Sequence, residues 1–143
     1  MEWGASCGAI MPRMSEENVE TVRTWYEQTA SGDFSPLVEL TDDFVFVTSP
    51  EVPDSGSYRG EAARRWVEAW VQSFEGLTIE ATEIVGAGEK VFVGVLQRGR
   101  PAGSEKAVEG RWWGVYTFRD GEPAQLQLFP DRTQAAEAAG LGA

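Results

Sequence analysis

The apolar positions follow a helical period in the first half of the chain and a strand period in the second. Val19, Val22, Tyr26 and Thr29 recur at helical spacing, with Trp25 beside them. Ser15-Glu16-Glu17-Asn18 precedes this run. Ser15 offers an oxygen to the free amides of a first turn, and the glutamates suit the positive end of the helix dipole. Ser31-Gly32-Asp33 stops the helix, the glycine supplying a left-handed cap. Phe34-Ser35-Pro36-Leu37-Val38-Glu39-Leu40 predicts a short second helix with proline in its first turn. Asp42-Asp43 lead into Phe44-Val45-Phe46-Val47-Thr48, a strand stopped by Ser49-Pro50. Residues 50–59 hold two prolines and Gly56 and predict a loop. Gly60 then opens a strong helix. Ala63, Trp66, Val67, Trp70, Val71 and Phe74 share one face of it, and Gly76 ends it.

From there the period is that of strands. Leu77–Val85 is followed by the turn Gly86-Ala87-Gly88, then by Lys90–Arg98 and a loop with Pro101 and Gly103. Ala107–Phe118 comes next, and Asp120-Gly121 is a strong hairpin signal before the last strand, Ala124–Phe129. Asp131-Arg132 opens a short alanine-rich helix. No repeat or linker interrupts this order, so residues 14–143 read as one domain, preceded by a disordered leader over residues 1–13. Helices followed by a strand meander predict an α+β fold. Its expected form is a cone-shaped, curved mixed sheet with three N-terminal-half helices on the concave face. Such a cone is open at one end, where small molecules sit.

Composition narrows the chemistry. The chain has no histidine, which removes the usual general base near neutral pH and the commonest metal ligand. Acid–base work would fall to carboxylates, tyrosines or arginines. Six tryptophans are more than packing alone needs. A net charge of −11 argues against nucleic acid and against anionic membranes as partners. Cys7 is the single cysteine, which excludes an intrachain disulfide and a cysteine-built zinc site. No segment approaches the ~20 apolar residues of a spanning helix, and residues 1–13 lack a secretory pattern. A cytoplasmic location is expected. No phosphate loop, nucleophile elbow or metal-ligand spacing occurs, so neither metal nor cofactor is expected.

Several segments together resemble a known family. They are Ser15-Glu16-Glu17-Asn18-Val19-Glu20, Gly32-Asp33, Asp42-Asp43, Ser49-Pro50 through Pro53-Asp54, Gly56 and Tyr58-Arg59-Gly60. Phe118-Arg119-Asp120-Gly121 and the ending Asp131-Arg132 through Ala138-Ala139-Gly140-Leu141 complete the set. In this order and spacing, the chain from Ser15 to Leu141 resembles a SnoaL-like member of the nuclear transport factor 2-like superfamily, which also contains ketosteroid isomerase. The resemblance implies the cone-shaped fold and a homodimer through the outer sheet face. It does not imply one activity, since isomerases, dehydratases, cyclases, epoxide hydrolases and non-enzymes share the fold. It also implies where acids and bases would stand. The isomerase base falls at Thr48 or Ser49, its oxyanion tyrosine near Trp25 and its protonated aspartate at Gly114. The polyketide cyclase acid falls near Leu128. None of these positions is ionisable here.

Strand alternation assigns the faces. If Gly114 faces the pocket, so do Trp112, Tyr116 and Phe118, with Leu126, Leu128 and Pro130 on the last strand. Arg111, Trp113, Val115, Thr117, Gln125, Gln127 and Phe129 then face outward, where a dimer would cover them. The expected ligand-binding set is Trp25, Tyr26, Tyr58, Trp66, Trp70, Trp112, Gly114, Leu126 and Leu128, with Gly114 leaving room beside two large rings. Tyr116, Asp54 and Asp131 are the candidate catalytic groups. Asp54 also reads as a turn former, and Asp131 also reads as a helix cap. Arg98 and Arg100 would pair with Glu105 and Glu109 or bind an acidic ligand. Two functions stay open. One is an isomerase, cyclase or lyase acting on an apolar substrate by metal-free carboxylate or tyrosine chemistry. The other is a non-catalytic ligand-binding or dimeric interaction module of the same fold.

Overall fold

A computed structural model describes residues 2–38, 41–48 and 56–141 of the chain. Among the described residues the helices are α1 (Glu2–Ala30), α2 (Ser35–Val38), α3 (Glu61–Gln72) and α4 (Arg132–Ala138). The strands there are β1 (Val45–Val47), β2 (Ser57–Arg59), β3 (Phe74–Ala87), β4 (Lys90–Pro101), β5 (Val108–Arg119) and β6 (Glu122–Phe129). They form one sheet in the order β2-β1-β6-β5-β4-β3. β1 runs parallel to β6 and every other pair is antiparallel, so the sheet is mixed.

One face of each long strand points to the main core. Val91, Val93 and Val95 of β4 meet Tyr116 and Phe118 of β5, Leu126 of β6, Ile79 of β3 and Phe46 of β1. The helix α1 closes this face with Val22 and Tyr26, as their helical spacing predicts. Thr29, one turn on, is fully buried and donates its hydroxyl to the Ile79 carbonyl, which ties α1 to β3. Hairpin chemistry is as the sequence implies: Asp120 and Gly121 both have positive φ, the primed turn that matches strand twist.

The opposite face carries a second, smaller cluster. Phe92 and Val115 point there and are covered by Ala135, Ala136 and Ala139 of α4. Alanines at the contact let the helix backbone approach the sheet closely. This explains why β4 is buried on both sides. Asp131 caps α4 by accepting the Thr133 amide at 2.9 Å. The outer face is therefore partly covered by the chain's own C-terminal helix. Trp113 and Phe129 pack half-buried at the border of that cluster.

Several boundaries differ from the sequence reading. α1 begins at Glu2, so its helix includes the stretch read as a leader and Ser15 does not start it. Residues 57–59, read as loop, form an edge strand paired with Val45–Val47. Three residues of mixed polarity carry no period of their own, so the pairing partner is what makes them a strand. Phe74, read as the last apolar position of α3, is the first residue of β3 opposite Pro101. Gly76 lies inside β3 with φ +63°, at a break in register between Glu75 and Thr78. A bulge glycine and a helix-stop glycine look alike in sequence.

Candidate functional site

Between α1, α2, α3 and the concave face of the sheet lies a cavity of about 640 Å³, a size suited to a drug-sized ligand. α3 explains why it exists. Its apolar face carries Trp66, Val67, Trp70 and Val71, yet only Ala63 is fully buried. The large side chains stand over space instead of closing on the sheet.

The walls are aromatic. Trp66 and Trp70 stack with ring centroids 5.6 Å apart at 10°. Phe46 meets Trp66 edge-on at 5.0 Å, and Phe74 lies 5.3 Å from Trp70. On the α1 side Trp25 lies 5.4 Å from Tyr116 and stacks on Phe118 at 6.1 Å. Trp112, Leu126 and Leu128 line the cavity from the sheet, and Phe44, Leu37 and Ile79 complete much of the rest.

Gln28, Thr41 and Arg111 also line the cavity, and so does Phe129, although strand alternation assigns Arg111 and Phe129 to the outer face. Two further polar features carry hydrogen bonds within this surface. The Tyr26 and Tyr116 hydroxyls are 2.9 Å apart, and both residues line the cavity. Only one of the two protons is used between them. Neither hydroxyl has another partner among the described residues, so the pair keeps one O–H to give. Burial pushes both phenols up. Tyr116 rises to about 12, Tyr26's hydrogen bond to its anion opposing part of that rise. Tyr26 is raised well above its ordinary value, by burial first and then by the neighbouring Tyr116 charge. The pair is neutral at any ordinary pH. The second feature is Gln97, a buried side chain whose Oε1 accepts the Trp70 indole N–H at 2.9 Å.

No aspartate or glutamate lines the cavity among the described residues. Nor do those residues hold a cluster of three groups able to bind a metal.

Of the sequence-predicted site residues, Trp25, Tyr26, Trp66, Trp70, Trp112, Tyr116, Leu126 and Leu128 line this one cavity. Gly114, Tyr58 and Asp131 do not meet there. Gly114 faces the concave side, but a Cβ there would lie 3.0 Å from Leu126 Cδ1 and 3.5 Å from Leu128 Cδ2 and Val93 Cγ1. Those side chains occupy the room expected beside it. Tyr58 is half-buried in β2 with its ring 6.4 Å from Trp66, and it does not line the cavity. Asp131 is committed to capping α4 and also lies outside the lining. Asp54 falls outside the described residues.

Other expectations shift as well. The Trp70 N–H is taken by Gln97. Arg98 pairs with Glu109 at 2.8 Å, while Arg100 pairs with Glu75 at 3.4 Å and not with Glu105. Sequence reasoning missed Gln97 and the Tyr26–Tyr116 bond. A signal for Gln97 existed: it follows Val91, Val93 and Val95 on the inward parity of β4.

No described helix is long and apolar enough to cross a membrane. No curated protein matches the chain significantly in sequence. Among solved structures, a protein from Jannaschia sp. CCS1 described as a SnoaL-like polyketide cyclase superposes with a TM-score of 0.65 at 20% identity, over 87% of this chain and 91% of that one. A protein of ketosteroid isomerase-like fold from Catenulispora acidiphila, in complex with trimethylamine, gives 0.62 at 15% identity, over 83% and 91%. An LEH-like epoxide hydrolase from M. tuberculosis gives 0.57 at 18% identity, over 89% and 92%. These likenesses show the fold. The sequence model of the SnoaL-like domain matches residues 22–125, from the first helix through the cavity strands, and the chain belongs to that family.

Proposed function

We propose that this protein takes a flat, apolar small molecule into the cone and holds one of its oxygens against the Tyr26–Tyr116 pair. The observation that carries this reading is the cavity itself. It is large, walled by tryptophans and provided with a neutral donor pair having one uncommitted proton. An apolar body gains by leaving water, roughly 25 cal/mol for each Å² buried. A carbonyl or phenol oxygen at the tyrosines keeps that burial from stranding polar groups.

A second reading, catalysis, is favoured by the same pair. A neutral phenol backed by another phenol can polarise a carbonyl and stabilise an enolate oxygen, as an isomerase, cyclase or lyase needs. Such chemistry also needs a base within reach of the substrate, and the described lining supplies no carboxylate. Ligand binding is the step that both readings share and that the cavity supports directly. The homodimer through the outer sheet face stays a proposal, now confined to the part that α4 leaves open around Trp113 and Phe129.

One experiment separates binding from catalysis. 2-Acetylnaphthalene is titrated into the protein while tryptophan fluorescence is followed, and its methyl protons are then monitored by NMR in D2O. Saturable quenching without accelerated exchange supports the binder. Exchange that disappears in Tyr116→Phe supports the enzyme. Absence of quenching at the solubility limit of the ketone contradicts both.

A further inference from the structure

We infer that Gln97 is a second polar anchor of the cavity, so that the ligand carries hydrogen-bond acceptors at both ends of an elongated apolar body. This rests on the pocket reading above. The amide orientation follows from chemistry, because an indole N–H only donates and the Gln97 atom facing Trp70 must be Oε1. That bond fixes the side chain and turns its NH2 away from Trp70. The NH2 has no partner among the described residues, and Gln97 is a lining residue of the cavity. It is not a stranded buried group either, since no enclosed side-chain nitrogen or oxygen among the described residues lacks a partner.

Strand register places this anchor relative to the tyrosines. Tyr116 stands opposite Val91, and Gly110 stands opposite Gln97. Six residues of strand separate Val91 from Gln97 in the sequence, or roughly 20 Å along the sheet. Trp112 lies between, opposite Val95, and the stacked Trp66 and Trp70 face it from α3. The two polar points are thus at opposite ends of an aromatic slot. Both offer protons, and neither end presents a carboxylate among the described residues. The matching ligand is a fused-ring compound with a carbonyl or similar acceptor at each end. A singly oxygenated hydrocarbon would leave one donor unmet.

The test uses two probes of matched shape, 2,6-diacetylnaphthalene and 2-acetyl-6-ethylnaphthalene, titrated by tryptophan fluorescence. The native protein should bind the diketone about five- to tenfold more tightly, the worth of one added hydrogen bond. In Gln97→Met that preference should fall to about one. Gln97→Glu keeps an acceptor for the Trp70 N–H and, at pH 9, removes the donors. It should lose the preference too, which separates the anchor from mere support of Trp70. Equal affinity of the native protein for both probes overturns the inference and leaves the pocket reading intact. A preference that survives both variants also overturns it. Failure of both probes to bind overturns the pocket reading and this inference with it.

Discussion

Removing the Tyr116 hydroxyl is the sharpest internal perturbation the structure offers. Tyr26 and Tyr116 are 2% and 3% exposed, and their hydroxyls bond only to each other among the described residues. Tyr116→Phe removes a hydrogen bond of net worth about 1 kcal/mol and leaves the Tyr26 hydroxyl without its partner, a penalty of about 1–3 kcal/mol in a closed site. Because both residues line the cavity, water can reach the abandoned group, which puts the total near ~1–2 kcal/mol. For a chain of this length that lowers Tm by roughly 3–8 °C. Tyr26→Phe should cost a similar amount. The double variant should cost about 1 kcal/mol less than the two singles summed, since neither hydroxyl is then stranded. Urea unfolding at pH 7 measures all three.

An alkaline arm checks the same pair independently. The folded Tyr116 holds its proton more tightly than the unfolded one, with a pKa raised from 10 to about 12. Its contribution is therefore complete below pH ~10 and is lost as pH rises towards ~12, amounting to about 3 kcal/mol. Tyr116→Phe should flatten the alkaline fall of stability by up to ~1.4 kcal/mol per pH unit. Additive single costs, together with an unchanged alkaline slope, would refute the buried pair.

The other predictions are structural. A side chain at Gly114 must push Leu126, so Gly114→Ala should change stability by under ~1 kcal/mol while narrowing the cavity. Gly114→Leu should cost ~1–3 kcal/mol and abolish ligand quenching, as read by urea unfolding and fluorescence. Gly60→Ala should cost ~2 kcal/mol or more by the same unfolding assay, because φ is +55° and its Cβ would lie 2.5 Å from the Asp42 carbonyl oxygen. Trp113→Glu with Phe129→Glu should convert a homodimer to a monomer by light scattering; a native protein monomeric at high micromolar concentration contradicts the dimer.

Much of the fold was legible because period and punctuation agreed. Val22, Tyr26 and Thr29 marked the buried face of α1, and parity around Gly114 set which β5 residues face inward. The resemblance supplied the expectation of a cone-shaped mixed sheet, but not the parallel pairing of β1 with β6, which no local pattern specifies. Local patterns failed where pairing or packing decides. β2 becomes a strand through β1, and Phe74 leaves a helical stripe for a strand because Pro101 pairs with it. The site was legible as a set of aromatic positions, whereas its polar logic was not. Gly114 signals space only until Leu126 is placed, and Tyr26 and Tyr116 are 90 residues apart in sequence. Gln97 reads as one more polar residue near the end of a strand until Trp70 is brought over it.

The most direct test of the central claim is the affinity of the native protein for 2-acetylnaphthalene as a function of pH, read from tryptophan quenching. A ligand held by an apolar slot and a neutral tyrosine pair should bind with one affinity from about pH 5 to about pH 9, because no group in the described lining titrates there. Tyr116→Phe should weaken it several-fold across that range without changing its flatness. An affinity that instead follows a single titration between about pH 4 and pH 7, or native binding indistinguishable from that of Tyr116→Phe, would contradict the account.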